Sequence, residues 1–281
     1  MQALEQWLTA NGYGEIDRQS ALGGGCINDT KRVDTSTGDR FCLKQNRDAP
    51  LDFFASEAQG LAALQDSASV RVPEVIHHSS DFLLLEYIAE GKKANNFWAL
   101  LAQQLANCHL RTKDQFGFHA NNYCGLTPQI NSLCADGYEF FSNHRLLIQS
   151  QWARDKKLLT QNHCRRIEML CRRLPELIPI QQPALIHGDL WSGNLHCDEQ
   201  GRPVLIDPAC YWGWPEADLA MTSLFGGFAE DFYQLYVEHH KLEQGWRERF
   251  EIYNLYHLLN HLNLFGGGYV ASVEAVLGKY S

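Results

Sequence analysis

The segment Ala184-Leu185-Ile186-His187-Gly188-Asp189-Leu190-Trp191-Ser192-Gly193-Asn194-Leu195, with Pro203-Val204-Leu205-Ile206-Asp207-Pro208 after it, carries the strongest signal in the chain. A short apolar run leads into His-Gly-Asp, and Asn194 follows Asp189 after a four-residue gap. Two further apolar runs flank the turn Asp198-Glu199-Gln200-Gly201-Arg202, and the second ends on Asp207. Short strands joined by a tight Gly-containing turn form a hairpin, which returns Asn194 and Asp207 to the same end of the ladder. This is the layout of a phosphotransfer site. Asp189 is placed to take a proton from an attacking hydroxyl, and Asn194 and Asp207 to hold Mg²⁺ on the phosphates of ATP. Two oxygen ligands with positions left for water and phosphate suit Mg²⁺.

The N-terminal part supplies matching pieces. Residues 2–10 read as a short helix. Residues 16–22 and 30–34 read as strands joined by Gly23-Gly24-Gly25-Cys26-Ile27-Asn28, where backbone without Cβ can approach phosphates closely. Arg40 to Lys44 alternates as a third strand should. Pro50 is expected to open a helix over residues 50–66, on which Glu57 lies among Phe53, Phe54, Leu61 and Leu64. A charge on that face needs a partner, and Lys44 is the candidate. A strand lysine paired with a helix glutamate positions ATP phosphates in kinases. Residues 74–77 and 82–87 read as two more strands. The backbone of Glu86, Tyr87 and Ile88 is expected to face the adenine edge just before a polar linker at 88–93.

From residue 94 apolar positions recur at helical spacing over 94–112, 137–159, 161–174, 228–242, 245–265 and 269–279. Residues 116–131, broken by Gly117, Asn121, Asn122, Gly125 and Pro128, read as a loop that could build a substrate pocket. The expected architecture is α+β, a protein-kinase-like two-lobe fold. Residues 1–88 would form a small β-rich lobe and residues 89–281 a larger helical one.

With 281 residues, 45% of them hydrophobic, the chain can bury a full core. A net charge of −9 disfavours nucleic-acid or anionic-membrane surfaces, so neither partner is expected. No apolar run is long enough to span a bilayer, and the first residues lack the basic region of a signal peptide. Nine scattered cysteines without a CxxC pair read as free thiols in a reducing cytoplasm. A monomer or weak homodimer is expected.

Departures from protein kinases narrow the class. No arginine precedes Asp189, Pro208-Ala209 follows the second aspartate, and no Ala-Pro-Glu comes after it, so a small-molecule kinase fits better. The chain resembles the fructosamine kinase (ketosamine-3-kinase) family of bacterial type, whose fold is aminoglycoside-phosphotransferase-like. The resemblance rests on Gly23 to Asn28, Phe116-Gly117-Phe118, Asn122-Tyr123 with Gly125, and Thr127-Pro128-Gln129 with Asn131. It continues through Phe140-Phe141 to Arg145-Leu146, His187 to Asn194, Asp207-Pro208-Ala209 and Glu216 to Met221. Cys210, Trp212 and Trp214-Pro215 depart from the family pattern near the pocket wall.

The resemblance implies ATP-dependent phosphorylation of a sugar 3-hydroxyl on a ketoamine, free or protein-bound, with ribulosamines and erythrulosamines preferred to fructosamines. The phosphate then promotes loss of the sugar from the amine. In this scheme Gly23, Gly24, Gly25, Cys26 and Ile27 cover the phosphates, and Lys44, held by Glu57, binds them. Trp191 stacks on the sugar, and Asn131 joins it in the substrate pocket. Asp218 and His187 are read as residues that hold the catalytic loop. His257 and His261, four apart on a helix, are read as packing or pocket residues, not a metal pair. Cys26 at the loop tip would make ATP binding redox-sensitive if its thiol is reactive. The competing readings are an aminoglycoside- or choline-type kinase and a non-catalytic nucleotide-binding module.

Overall fold

A computed structural model of the chain describes residues 2–23 and 27–281. Gly24, Gly25 and Cys26 lie outside the described residues, and with them most of the phosphate-loop reading and the redox reading of Cys26.

The small lobe is an antiparallel sheet of five strands: β1 (Ile16–Ala21), β2 (Asp29–Thr35), β3 (Arg40–Gln45), β4 (Val75–His78) and β5 (Phe82–Glu86). Their order is β1-β2-β3-β5-β4. Side-chain alternation gives the sheet two working faces. Phe41 and Leu43 join Val33, Phe82 and Leu84 under Leu4 and Leu8 of α1 (Gln2–Ala10), a separate small core. The intervening Cys42 and Lys44 face α2 (Phe53–Asp66) on the other side, where Leu83 and Leu85 meet Phe54, Leu61 and Leu64. Each such fully buried side chain contributes about 1.5–3 kcal/mol. Helix α2 begins three residues later than the proline suggests. Pro50 accepts the Phe53 N–H at 3.1 Å in a turn before the helix, and the Asp52 carboxylate at the cap position is taken by the Tyr123 hydroxyl at 2.6 Å.

The larger lobe holds α3 (Phe97–His109), α4 (Gly137–Phe141), α5 (Ile148–Asp155), α6 (Gln161–Leu177), α7 (Pro215–Leu224), α8 (Glu230–His239), α9 (Phe250–Phe265) and α10 (Val270–Tyr280). Three expectations change. The helix expected over 137–159 is interrupted by a π-helical segment, Ser142–Leu147, which carries Arg145 into the core at 0% exposure. The loop expected over 116–131 contains a small hairpin, β6 (Asn122–Cys124) with β7 (Thr127–Gln129). Helix α7 was not expected at all. It is buried on nearly every side, so its apolar residues show no one-sided stripe to read.

Two more short ladders place the active loops. β8 (Ala184–Ile186) pairs with β11 (Tyr211–Gly213), and β9 (Leu195–Cys197) pairs with β10 (Pro203–Leu205). Arg249 ties α9 to α7 through both oxygens of buried Glu216, at 2.6 and 2.7 Å.

Candidate active site

Strand β8 delivers His187-Gly188-Asp189 to the floor of a cleft. Gly188 has φ +80°, and a Cβ there would stand 2.2 Å from the Ala209 carbonyl oxygen, so only glycine fits. Asp218 of α7 accepts the backbone N–H groups of His187 at 2.7 Å and Gly188 at 2.8 Å. Burial opposes ionisation of Asp218, but the hydrogen bond from His109, the nearby His109 and His187 rings and the Gly188 amide outweigh it and hold the carboxyl below its usual range. Burial pushes His187 down, and as a neutral ring it donates from Nε2 to Ile206 O at 3.0 Å. His187 O in turn accepts the Ala209 N–H at 2.9 Å. The two active loops are thus fastened to each other through backbone groups.

Asn194 ends a 3₁₀ turn and donates its amide to Asp189 O at 2.8 Å and Asp189 Oδ2 at 3.2 Å. Burial and the neighbouring Asp207 carboxylate push Asp189 up to about 7, near the range suited to a general base at neutral pH. Asp207 sits at φ +56°, an uncommon conformation for a residue with a side chain, costing about 1–3 kcal/mol and typical of functional positions.

Lys44 Nζ meets Glu57 Oε1 at 2.5 Å and also donates to Asp207 Oδ1. The pair expected with Glu57 forms, and Asp207 joins it. Burial disfavours the ammonium, but the two carboxylates outweigh it and hold Lys44 above its ordinary value.

With its amide hydrogens committed to Asp189, Asn194 offers the cleft only its carbonyl oxygen. Together with the Asp207 carboxylate, this is an all-oxygen donor set that fits Mg²⁺ and would complete its shell with phosphate and water.

These residues open on a cleft of about 490 Å³. Trp191 lines it, standing edge-on to Phe225 with centroids 6.2 Å apart. A Cβ on Gly193 would strike the Trp191 ring at 2.4 Å, so that glycine makes room for the indole. Ile27 lines the cleft as well. Gly23 has open space where a Cβ would stand.

The structure does not bring every expected residue to the cleft. Asn131 is 1% exposed and lies outside the lining, which corrects its reading as a substrate contact. Its amide donates to Ala120 O at 3.2 Å and Asn122 Oδ1 at 2.8 Å, and its oxygen accepts from Arg145 at 2.7 Å. Asn122 and Gln129 continue this network to the Cys210 and Ala209 carbonyls, at 2.8 and 3.0 Å. Asn131 therefore braces the loop after Asp207 from behind.

Glu86, Tyr87 and Ile88 also lie outside the cleft lining. Glu86 pairs with Arg71 at 2.5 Å, Tyr87 lies under Arg32, and Ile88 O accepts from His196 at 3.1 Å.

Asn122, Phe225, Asn260 and Tyr269 also line the cleft, and of these only Asn122 lies in the loop that the sequence marks as a possible pocket wall. His257 and His261 do not converge on one point. His257 Nδ1 stands 3.9 Å from Asp189 Oδ1, whereas His261 Nδ1 turns back to His257 O at 2.8 Å.

The two lobes and the carboxylate, amide and lysine groups between them define a phosphotransferase of the protein-kinase-like class. A profile of the fructosamine kinase family matches residues 1–281, and the chain belongs to that family. It is 37% identical over 292 aligned residues to the chloroplastic protein-ribulosamine 3-kinase of Oryza sativa subsp. indica, covering 99% of this chain and 83% of that one. An Enterococcus faecium protein provisionally named a ketoamine kinase is 40% identical, with 92% and 93% covered. A crystal structure from Thermobifida fusca, provisionally named a fructosamine-3-kinase, superposes with TM-score 0.89 at 31% identity over 99% and 98% of the two chains. An aminoglycoside phosphotransferase, APH(2")-IIa with streptomycin and ATP, superposes with TM-score 0.67 at 15% identity over 98% and 96%, a likeness of fold alone.

Proposed function

We propose that this chain transfers the γ-phosphoryl group of ATP to the 3-hydroxyl of a ketoamine, with ribulosamines the favoured acceptors. The observation that carries the reading is the meeting of Asp189, Asn194, Asp207 and the Lys44–Glu57 pair at one end of a single cleft. The kinship with an enzyme named for ribulosamine supports the acceptor class.

In this mechanism Asp189 accepts the proton of the 3-hydroxyl as its oxygen attacks the γ-phosphorus, and the bond to ADP breaks. Asn194 and Asp207 would hold Mg²⁺, whose charge on the phosphates lowers the cost of the developing negative charge. Lys44 steadies the phosphates, with Gly23 to Ile27 covering them, and the adenine extends beyond the described cleft lining to the backbone of Glu86 to Ile88. Trp191 packs on the sugar. The protein does little covalent chemistry, so positioning and electrostatics carry the rate. Enolisation of the product towards C1 then expels the 3-phosphate, and hydrolysis frees the amine.

The same reading divides the chain at 88/89 and includes a cytoplasmic setting and a monomer or weak homodimer. The described cysteines are free thiols, in keeping with a reducing compartment. No helix of the described residues is long and apolar enough to cross a membrane.

The test is ATP turnover on ribuloselysine beside fructoselysine, kanamycin and choline, with Asp189→Asn as blank. Turnover of the ketoamines alone is expected. Turnover of kanamycin or choline alone would keep the fold and discard the acceptor, and ATP bound without turnover of any would leave a nucleotide-binding module.

A further inference from the structure

The cleft has two chemically different ends. Every carboxylate in its described lining, from Glu57, Asp189 and Asp207, belongs to the phosphate end. The other end is walled by rings. Phe225 follows α7, His261 and Phe265 lie on the last turns of α9, and Tyr269 closes the turn after it. His261 is the hub, with centroids 4.6 Å from Phe225, 5.5 Å from Phe265 and 5.4 Å from Tyr269. Burial pushes the His261 imidazole below its usual range, so it presents a neutral ring and does not repel a cation.

Ring faces attract cations, and more strongly where water is displaced. A cation arriving at this end meets no carboxylate in the described lining, so the rings are what it would meet.

Spacing says which cation fits. His257 Nδ1 is 3.9 Å from Asp189 Oδ1. His261 lies four residues along the same helix, its backbone about 6 Å from that of His257 at an α-helical rise. In a ketoamine the 3-hydroxyl oxygen and the amine nitrogen are four bonds apart, roughly 5 Å when extended at ordinary bond lengths. With the hydroxyl at Asp189, that span is close to the one helical turn that separates His257, beside Asp189, from His261 in the ring wall.

We infer that Phe225, His261, Phe265 and Tyr269 form a subsite for the protonated amine of the ketoamine, held by cation–π contact in place of a carboxylate. This deepens the phosphorylation reading and rests on it. Recognition through ring faces leaves the rest of the amine unread. Phe265 is 55% exposed, so the amine's substituent leaves the cleft over this ring. A lysine stem projecting from another protein meets the same ring as one in a free amino acid.

The experiment compares a 1-alkylamino-1-deoxyribulose with its 1-alkoxy counterpart, in which a neutral oxygen replaces the nitrogen, on wild type, Phe225→Leu and Tyr269→Leu. Wild type is expected to favour the amine in kcat/KM by roughly tenfold, the range of a desolvated cation–π contact. In both variants that ratio is expected to fall towards one. Thermal midpoint and ATP affinity report whether each variant is folded. A wild type indifferent to the amine, or variants that keep the tenfold ratio, would overturn the subsite while leaving the kinase reading in place. Wild type that binds ATP and turns over neither compound removes the kinase reading, and the subsite with it.

Discussion

The ammonium of Lys44 donates to the carboxylate of Asp207, 163 residues further along the chain, while holding Glu57 at 2.5 Å. One nitrogen thereby joins the small-lobe sheet, helix α2 and the loop that follows the β9–β10 hairpin. Phosphates arriving with a metal ion would offer Lys44 and Asp207 new partners at the same place.

Lys44→Met leaves Glu57, whose side chain is 10% exposed, without a cation. Breaking a buried pair from one side costs about 3–5 kcal/mol. Urea melts should show that loss, and calorimetry should show ATP affinity weakened by at least about tenfold, a step of 1.4 kcal/mol. Lys44→Met with Glu57→Leu should recover much of the stability and none of the affinity, because only the first cost is a stranded charge.

Asp189→Asn keeps the shape of the side chain and removes the carboxylate proposed to accept the proton. Turnover is expected to fall by about 10²–10⁴ with ATP affinity retained. Parallel loss of ATP binding would make Asp189 a structural residue.

Gly188→Ala places a methyl against the Ala209 carbonyl at a backbone angle few residues adopt. It should cost about 1–3 kcal/mol of stability and lower kcat more than ATP affinity. Single-turnover and melting experiments separate the two effects.

Arg249→Leu strands Glu216, which is 1% exposed and among the described residues keeps only the Tyr253 hydroxyl, at 3.0 Å. A loss of about 3–5 kcal/mol is expected in denaturant titration.

Burial, with a smaller contribution from His109, pushes His240 down to about 4. An unfolded histidine titrates near 6.5, so below that pH the unfolded chain takes up a proton that the folded chain refuses. The contribution is complete above about 6.5 and is lost progressively as pH falls towards about 4. His240→Phe keeps a ring against Tyr236, whose centroid is 5.5 Å away, and should flatten this part of the stability profile. His257, pushed down to about 3 mainly by burial, acts in the same direction, so some slope should persist.

The grouping of Asp189, Asn194, Asp207 and Glu57 was legible because most of its members are local in sequence. Asp189 and Asn194 share one loop, Asp207 is one hairpin away, and Glu57 stands out as a charge on an apolar face. Helix α7 was hidden because a helix buried all round has no stripe, although Pro215 before an acidic turn was a usable start signal. The three-residue strands of the β6–β7 hairpin are too short for alternation to register. Asn131 was misread because its side chain is spent on Ala120 O, Asn122 Oδ1 and Arg145, and such partners leave no trace in sequence. The ring wall was invisible for a related reason. Its members come from separate segments that only the packing of α9 brings together.

The interlock of Gly188 with Ala209, reinforced by His187 and the β8–β11 ladder, bears on how such proteins can recombine. The two loops act as mortise and tenon, each cut to the other's backbone. A chimaera that crosses over between residues 190 and 208 would join halves shaped by different parents. Exchanges that carry residues 184–213 as one block keep the joint intact, and these are the crossovers that should yield working hybrids.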